Sequence, residues 1–265
     1  MHQSTVIGLL GGVVLLIGMI VMSPDHIGAF FNLPGLIVVI GGTLTATFVS
    51  RPINDVYRVL RTLPELFGDE KTSGQTDCAP LLRFAGWYRH GNLRAAEREL
   101  AAVGNPFLKA GLRQIVDGCP AEDLRKSLQW RMSGLRTREY GQAQIMRSMA
   151  AFAPAFGMLG TLFGLVHMLS GLGDSGLDEI GGVMAFAMIT TLYGIVASNL
   201  FFKPLAIKME RRTNQRLMQM GMLMEGILLV HERRHPTIIK ETLEAFEDHH
   251  CAALPPQKPL TLVKA

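Results

Sequence analysis

Four long apolar stretches divide this chain, and they cover residues 5–22, 33–49, 149–172 and 180–202. A helix needs roughly 20 mostly apolar residues to cross a hydrocarbon layer about 30 Å thick, because its backbone amides must bond within the segment. Each stretch is long enough and apolar enough to do so. They predict four membrane-spanning helices, arranged as two hairpins within residues 1–50 and 149–202.

The polar regions between and after the hairpins follow a helical pattern. In residues 79–103 and 121–145, apolar side chains recur near a 3.6-residue period, and breaks rich in glycine and proline separate the segments. We therefore predict a helical cytoplasmic domain at residues 51–148. Residues 203–265 form a tail that first continues the fourth span as a helix and is disordered after about residue 254. The predicted fold class is an all-α integral membrane protein.

The positive charges indicate how the spans are oriented. All 26 lysines and arginines lie within residues 51–147 and 203–264. Basic segments stay on the cytoplasmic side during insertion, so both chain ends are predicted to be cytoplasmic. This topology explains the net charge of +4 without a nucleic-acid partner. The first span lacks a basic amino-terminal region and a clear cleavage site, and it is interpreted as a retained anchor.

The sequence offers little for catalysis or for a bound metal. Cys78, Cys119 and Cys251 are odd in number and lie in predicted cytoplasmic regions, so they are expected to remain reduced. The sequence shows no spacing typical of metal ligands, no phosphate-binding glycine loop and no nucleophile with a base at a recognisable spacing. We expect neither an enzyme nor a bound cofactor.

The predicted spans carry no Asp, Glu, Lys or Arg at mid-depth. Such groups usually mark ion or proton relays in membrane proteins. Apart from Tyr193, only His167 is titratable well inside a span, and it is interpreted as a packing or interfacial residue. If this protein moves ions, another subunit must supply the carboxylate.

Small and weakly polar residues recur at three- and four-residue intervals in the third and fourth spans, so each set shares one helix face. Tight helix packing explains the glycines. A proline that frees a carbonyl and hydroxyls on the same face also fit an ion path, and both interpretations remain open. The residues are Pro154, Gly157, Thr161, Gly164 and Met168, then Ala187, Thr191, Gly194 and Ser198.

Several runs resemble the MotA/PomA family, the A subunits of bacterial flagellar stators. In the membrane regions they are PGLIVVIGGT at 34–43, APAFGMLGTLFGLV at 153–166 and TTLYG at 190–194. In the predicted cytoplasmic regions they are NPFLK at 105–109, MLMEGI at 222–227 and HPTII at 235–239. The resemblance extends from about residue 5 to residue 246, in the order found in the family.

The resemblance implies four spans per subunit and a ring of five A subunits around the single spans of two B subunits, in the bacterial inner membrane. Ion passage past a B-subunit aspartate would turn the ring against the flagellar rotor. Pro154 matches the family proline beside that aspartate, and Pro204 matches a proline involved in coupling. Thr161, Thr190 and Thr191 match threonines of the ion route, while Gly157, Gly164 and Gly194 are assigned to helix packing.

The resemblance also implies a contact with the rotor switch protein through Arg89, Glu97 and Glu99. It further implies that the transported ion is Na⁺ or H⁺. Hydroxyl oxygens suit a hard cation, and the three threonines together resemble sodium-driven members, so sodium is favoured.

The sequence departs from the family pattern at two places, and it leaves two other functions open. Gln129, Trp130 and Arg131 stand where members often carry an acid, which leaves a coupling role of that acid in doubt. The approach to Pro236 is also unusual, with Glu232 to Arg234 preceding His235. The alternatives are an ExbB/TolQ-like energiser of outer-membrane processes, typically with three spans, and a non-conducting membrane scaffold.

Overall fold

A computed structural model describes residues 30–64, 74–171 and 177–252, together with residues 8, 10–12, 14, 17 and 18. Within these residues the regular structure is helical throughout, and no strand is present. The predicted all-α fold is confirmed. The predicted span at 5–22, the loops that follow residues 22 and 172, and the tail after 254 lie wholly or largely outside the described residues.

A π-helical segment, Ala197–Phe202, joins two of the described helices without a break. In chain order they are α1 Leu33–Ser50, α2 Ile53–Thr62, α3 Gly74–Arg89, α4 Leu93–Ala102, α5 Pro106–Val116, α6 Ala121–Ser170, α7 Leu177–Val196, α8 Lys203–His231 and α9 Pro236–Ala252.

Three described helical stretches are long and apolar enough to cross a membrane: Leu33–Ser50, Ala121–Ser170 and Ile180–His231. Their most apolar windows have mean hydropathies of 1.8, 1.8 and 1.9, and they coincide with the second, third and fourth predicted spans. Only 22% to 28% of each window is buried within the chain. Most of these apolar side chains therefore face outward, as expected for helices in contact with lipid or with other subunits.

The third span is not a separate helix, because α6 runs for 50 residues from Ala121 through Pro154 to Ser170. At 1.5 Å per residue it is about 75 Å long. The chain has no proline between Pro120 and Pro154, and the glycines in that interval, Gly134 and Gly141, weaken a helix by only about 1 kcal/mol each. The periodic segment at 121–145 and the span thus belong to one continuous helix.

The chain packs as two compact units. The spanning unit contains the described residues up to 64 together with 137–213, and the helical domain contains 74–136 and 214–252. These packing limits differ from the predicted boundaries after residues 50, 148 and 202, because α6 and α8 continue beyond their apolar parts. The predicted boundaries mark where the chain enters and leaves the lipid, and they stay predictions.

The spanning unit has a compact apolar cluster beside its membrane-spanning segments. An ion pair links α6 and α8 there, since Arg147 Nη2 lies 2.7 Å from Glu210 Oε2. The buried members of the cluster come from α2, α6 and α8: Val56, Val59, Ala143, Ile145, Met146, Met149, Ala206 and Met209.

The helical domain has its own core, built from α3, α4, α5, α9 and its parts of α6 and α8. Gly111 provides close contact between α5 and α8, where an added Cβ would lie 2.6 Å from Ile227 Cδ1. The largest fully buried side chains of this core are Leu81, Phe84, Leu108, Leu112, Ile115, Leu124, Leu128, Leu223, Ile227 and Ile239.

Candidate functional site

The glycine-bearing faces of α6 and α7 meet in a close seam. A Cβ added at Gly157 would lie 3.0 Å from the carbonyl oxygen of Thr190, and one at Gly194 would lie 2.6 Å from that of Ala153. At Gly164 the nearest atom would be Ala187 Cβ at 2.8 Å. Backbone atoms of one helix therefore face backbone atoms of the other, an approach that only glycine allows.

Gly160 also belongs to this seam, although it was not among the residues predicted from the sequence. A Cβ there would lie 2.7 Å from Thr190 Oγ1 and 2.8 Å from Thr190 Cβ. Gly160 lies three residues after Gly157 and four before Gly164, which is the same spacing that identified the face. This spacing could have identified Gly160 from the sequence.

The three predicted threonines converge on one carbonyl group. The hydroxyl oxygens of Thr161, Thr190 and Thr191 lie 3.2, 3.3 and 3.3 Å from the carbonyl oxygen of Gly157. Those of Thr161 and Thr190 also lie 3.0 and 2.8 Å from the carbonyl oxygen of Ala187, so the one proton of each hydroxyl has two carbonyl oxygens within reach. Thr161 Oγ1 and Thr191 Oγ1 are hydrogen-bonded to each other. The seam thus concentrates hydroxyl and carbonyl oxygens, the ligand type that hard cations prefer.

The threonines differ in exposure. Thr190 is fully buried, and Gly35 of α1 packs beside it, where a Cβ would lie 3.0 Å from Thr190 Cγ2. Thr161 and Thr191 are half-buried. Thr190 therefore lies between helices of its own chain, while Thr161 and Thr191 keep surface on which an ion, water or another subunit can act.

Pro154 frees a backbone carbonyl, and a serine of the next apolar helix takes the vacant position. Proline has no N–H, so Ala150 loses its usual donor four residues along α6. Ser198 Oγ donates to Ala150 O at 2.6 Å instead, and Ser198 is only 5% exposed. The proline and the serine both lay on predicted faces, but the bond between the two helices was not foreseen.

The π-helical segment begins beside this bond. The π-helical bonding pattern is shown by Lys203, whose N–H donates to the carbonyl oxygen of Ser198 five residues earlier. Pro204 follows immediately and is exposed. Because Pro204 has no N–H for the normal helical bond, a local change of bonding pattern lets the helix continue through it. The predicted coupling residue thus lies at the junction of the π-helical segment with α8.

Tyr193 fastens α7 to the beginning of α1. Its hydroxyl accepts a hydrogen bond from the N–H of Asn32 at 3.0 Å and donates to the carbonyl oxygen of Phe30. Asn32 caps α1 by accepting from the N–H of Gly35 at 3.0 Å. This link between distant parts of the chain was not predicted, because it depends on how α1 packs against α7.

His167 lies in more open surroundings. It is exposed and lines an apolar cavity of about 260 Å³ with Phe163, Gly164, Gly182, Val183 and Phe186. None of the other five lining residues is acidic or basic. His167 stays interpreted as a packing or interfacial residue.

The predicted rotor surface lies at the turn between α3 and α4. Gly91 has a φ of +74°, which favours glycine, and Asn92 caps α4 by accepting from the N–H of Ala95 at 3.2 Å. Arg89 and Glu97 are exposed. Glu99 is instead paired with Arg83, whose Nε lies 3.1 Å from Glu99 Oε2, and this pair was not predicted from the sequence.

Similarity to known proteins extends over nearly the whole chain. Residues 99–222 match the model of the MotA/TolQ/ExbB proton channel family. The chain is 29% identical to motility protein A of Treponema pallidum over 246 residues, covering 93% of this chain and 94% of that one. It is also 29% identical to chemotaxis protein PomA of Vibrio alginolyticus, covering 93% and 95%.

A solved structure shows the same fold. The flagellar MotAB stator complex from Bacillus subtilis contains a chain that matches with a TM-score of 0.82 and 27% identity, over 94% of this chain and 98% of that one. The resemblance found in the sequence is confirmed.

Proposed function

We infer that the chain belongs to the MotA/TolQ/ExbB proton channel family and that it is the A subunit of a flagellar motor stator. With a B subunit, it forms an ion-conducting torque generator that couples cation flow down its gradient to rotation of the flagellar rotor. The observation that carries this inference is the likeness to motility proteins over 93% of the chain, which includes the spans and the helical domain.

The partner follows from what the apolar helices lack. Residues 33–50, 148–171 and 180–202 contain no Asp, Glu, Lys or Arg. A cation crossing the hydrocarbon region needs a charged or strongly polar site. We propose that a MotB/PomB-type B subunit supplies an aspartate for this purpose, and that this chain supplies the wall around it.

The proposed assembly has five A subunits around the spans of two B subunits in the bacterial inner membrane. Each A subunit has four spans, with both ends in the cytoplasm. Support for the orientation comes from the absence of lysine and arginine in 1–50 and 148–202.

For the mechanism, the half-buried hydroxyls of Thr161 and Thr191 are the groups of this chain proposed to face the ion route beside Pro154. The buried Thr190 keeps α6, α7 and α1 in register. Binding and release of a cation change the charge of the partner's carboxylate, and this changes its relative affinity for successive positions of the ring. Pro204 would couple α7 to α8, and Arg89 and Glu97 would contact the rotor switch protein.

The inference is tested by producing this chain with its B-type partner in a motile bacterium that lacks its own stator. Restored swimming supports a stator subunit. If swimming does not return although both subunits reach the membrane, the inference is wrong, and an energiser or a scaffold takes its place.

Sodium is the proposed ion, and the oxygen-rich seam supports it. Swimming speed should rise with external Na⁺ at constant pH. Thr191→Ala should raise the Na⁺ concentration needed for half-maximal speed by about tenfold, equivalent to one lost oxygen contact of roughly 1.4 kcal/mol. The measurement is speed against Na⁺ in cells that contain the wild-type or variant complex.

Thr45→Ala is the matched control for that experiment. Thr45 also lies in an apolar helix, but it is exposed on α1 and its hydroxyl donates to Gly41 O at 2.8 Å within its own helix. It should leave the Na⁺ response unchanged. Swimming speed that does not depend on Na⁺ removes the sodium assignment and leaves the proton.

Charge reversal at the turn between α3 and α4 should uncouple rotation from ion flow. Arg89→Glu combined with Glu97→Arg changes two exposed charges that form no ion pair with another described residue, so folding and flux should be retained. Swimming should fall by about tenfold or more, since opposed charges across an interface weaken docking by several kcal/mol. Swimming speed and ion flux are measured on the same strains.

Arg125→Glu is the control for general charge effects, because Arg125 is exposed on α6 in the same helical domain. Unchanged swimming after the double reversal would exclude Arg89 and Glu97 from the rotor contact. Glu99→Lys is less informative, since it also breaks the pair with Arg83.

A further inference from the structure

An open cleft with a basic lining lies between α5 and α6 in the helical domain. Its volume is about 370 Å³. Lys109 and Arg113 of α5 and Arg131 of α6 line it, together with one carboxylate, that of Asp117 at the end of α5. All four side chains belong to exposed residues, so a solute can reach them. Three cations and one acid thus face the same small volume.

The protein does not offset these charges itself. None of the four side chains forms an ion pair with another described residue. Lys109 and Arg113 are also four positions apart on α5, a spacing at which like charges destabilise a helix. Three cations against one carboxylate leave the cleft with a net charge of +2. An anion in the cleft would replace this repulsion with attraction.

A hydrogen bond between the two helices holds the cleft in place. Gln114 Nε2 donates to Ser127 Oγ at 2.9 Å, and both residues are half-buried. Gln114 follows Arg113 directly, and Arg131 lies one helical turn after Ser127, on the same side of α6. The bond therefore fixes the two backbones that carry Arg113 and Arg131. A ligand would find these groups already positioned, which lowers the entropic cost of binding.

The lining favours a phosphate group among anions. A planar guanidinium group binds two oxygens of one phosphate at once, and the lysine adds a compact point charge. A phosphate monoester carries about 1.5 to 2 negative charges at pH 7, which matches the net charge of the cleft better than one carboxylate does. The volume is near the lower end of the range for small-molecule sites. It therefore suits a phosphate group with a small carrier.

We propose that the cleft between α5 and α6 binds the phosphate group of a small molecule, with Lys109, Arg113 and Arg131 as the contacting side chains. The carrier is either a soluble phosphate ester or a phospholipid headgroup, since both present the same group. A bound phosphate would tie α5 to α6, the helix that continues through Pro154 to Ser170. The inference does not depend on the transported ion or on the rotor contact.

Equilibrium dialysis of radiolabelled pyrophosphate tests the site on the purified complex of this chain with its B-type partner. We expect saturable binding with one pyrophosphate for each copy of this chain. Arg131→Glu should weaken this binding by about tenfold or more, because a charge-assisted contact is replaced by repulsion. Arg113→Gln should weaken it in the same direction from the other helix. Binding that rises linearly without saturation would contradict the proposal.

Arg125→Glu is the matched control for overall charge. Arg125 is exposed on α6, six residues before Arg131, and it does not line the cleft. It should change the affinity for pyrophosphate by less than about twofold, because charges far apart on the surface are screened by salt. Equal weakening by Arg125→Glu and Arg131→Glu would show attraction to the general positive charge and would overturn the proposal.

The melting temperature of the complex in phosphate-free buffer separates loss of binding from loss of folding. The Arg131→Glu complex should melt at the wild-type temperature or slightly above it, because the change removes a like charge from the cleft. If the variant complex instead dissociates in this buffer, an acidic group of another subunit occupies the cleft, and the proposal is wrong.

Competition against labelled pyrophosphate identifies the carrier. Adenosine diphosphate represents soluble phosphate esters, and a water-soluble short-chain phosphatidylglycerol represents lipid headgroups. Displacement at lower concentration by the nucleotide supports a soluble ester, and displacement at lower concentration by the lipid supports a headgroup. If neither displaces pyrophosphate, the cleft takes an adventitious ion only, and the proposal is overturned.

Discussion

Gly194→Ala should strongly weaken the seam between α6 and α7. The new Cβ would lie 2.6 Å from Ala153 O and 3.2 Å from the Cα atoms of Pro154 and Gly157. All of these are backbone atoms, so the conflict cannot be relieved by rotating a side chain, and the helices must separate. Overpacking of this kind costs about 1–3 kcal/mol, which lowers the melting temperature of the complex by roughly 2–12 °C.

The same change should abolish swimming or reduce it to a small residual, because separation of the helices displaces Thr191 and Pro154 together. Thermal unfolding of the purified complex and swimming speed are the two measurements. Gly181→Ala is the control on the same helix, since an added Cβ there meets nothing within 4 Å. If Gly194→Ala behaves like Gly181→Ala, the close approach of the two helices is refuted.

Ser198→Ala should destabilise the subunit by about 1–3 kcal/mol, because it leaves the partly buried carbonyl of Ala150 without its hydroxyl donor. The loss should be much smaller in a Pro154→Ala background. There residue 154 regains an N–H, and that N–H can donate to Ala150 O in the normal helical pattern. The two changes should therefore be coupled by roughly 1–2 kcal/mol.

This coupling is measured as a double-mutant cycle on the unfolding of the complex in detergent. Ser148→Ala serves as the control, because the hydroxyl of Ser148 is exposed on α6 and donates to Gln144 O at 3.0 Å within the same helix. It should be near neutral in both backgrounds. Equal losses from Ser198→Ala with and without Pro154 would show that the serine does not replace the missing N–H.

The spans described by the structure could be read from the sequence, because a long apolar stretch is a strong signal and the basic residues mark where it ends. The seam was also visible in part. Glycines and threonines at three- and four-residue spacing identified both faces, and the same spacing could have identified Gly160. Periodicity gives the face of each helix but not the register between two helices.

The features that depend on this register were therefore missed. The bond from Ser198 to Ala150 joins residues 48 positions apart, and that from Tyr193 to Asn32 joins residues 161 apart. The pair of Arg83 and Glu99 requires α3 and α4 to pack side by side across the turn. The π-helical segment has no pattern of its own, and only Pro204 indicates why the helix changes there.

Cation flux into sealed vesicles tests the central claim most directly. Vesicles are prepared with this subunit alone, with the B-type partner alone, with both, and with both after the partner's span aspartate is changed to asparagine. The account predicts flux only when both unmodified subunits are present, because the described spans of this chain contain no Asp, Glu, Lys or Arg. Sustained flux through this subunit alone, at a rate similar to that of the complex, would contradict it.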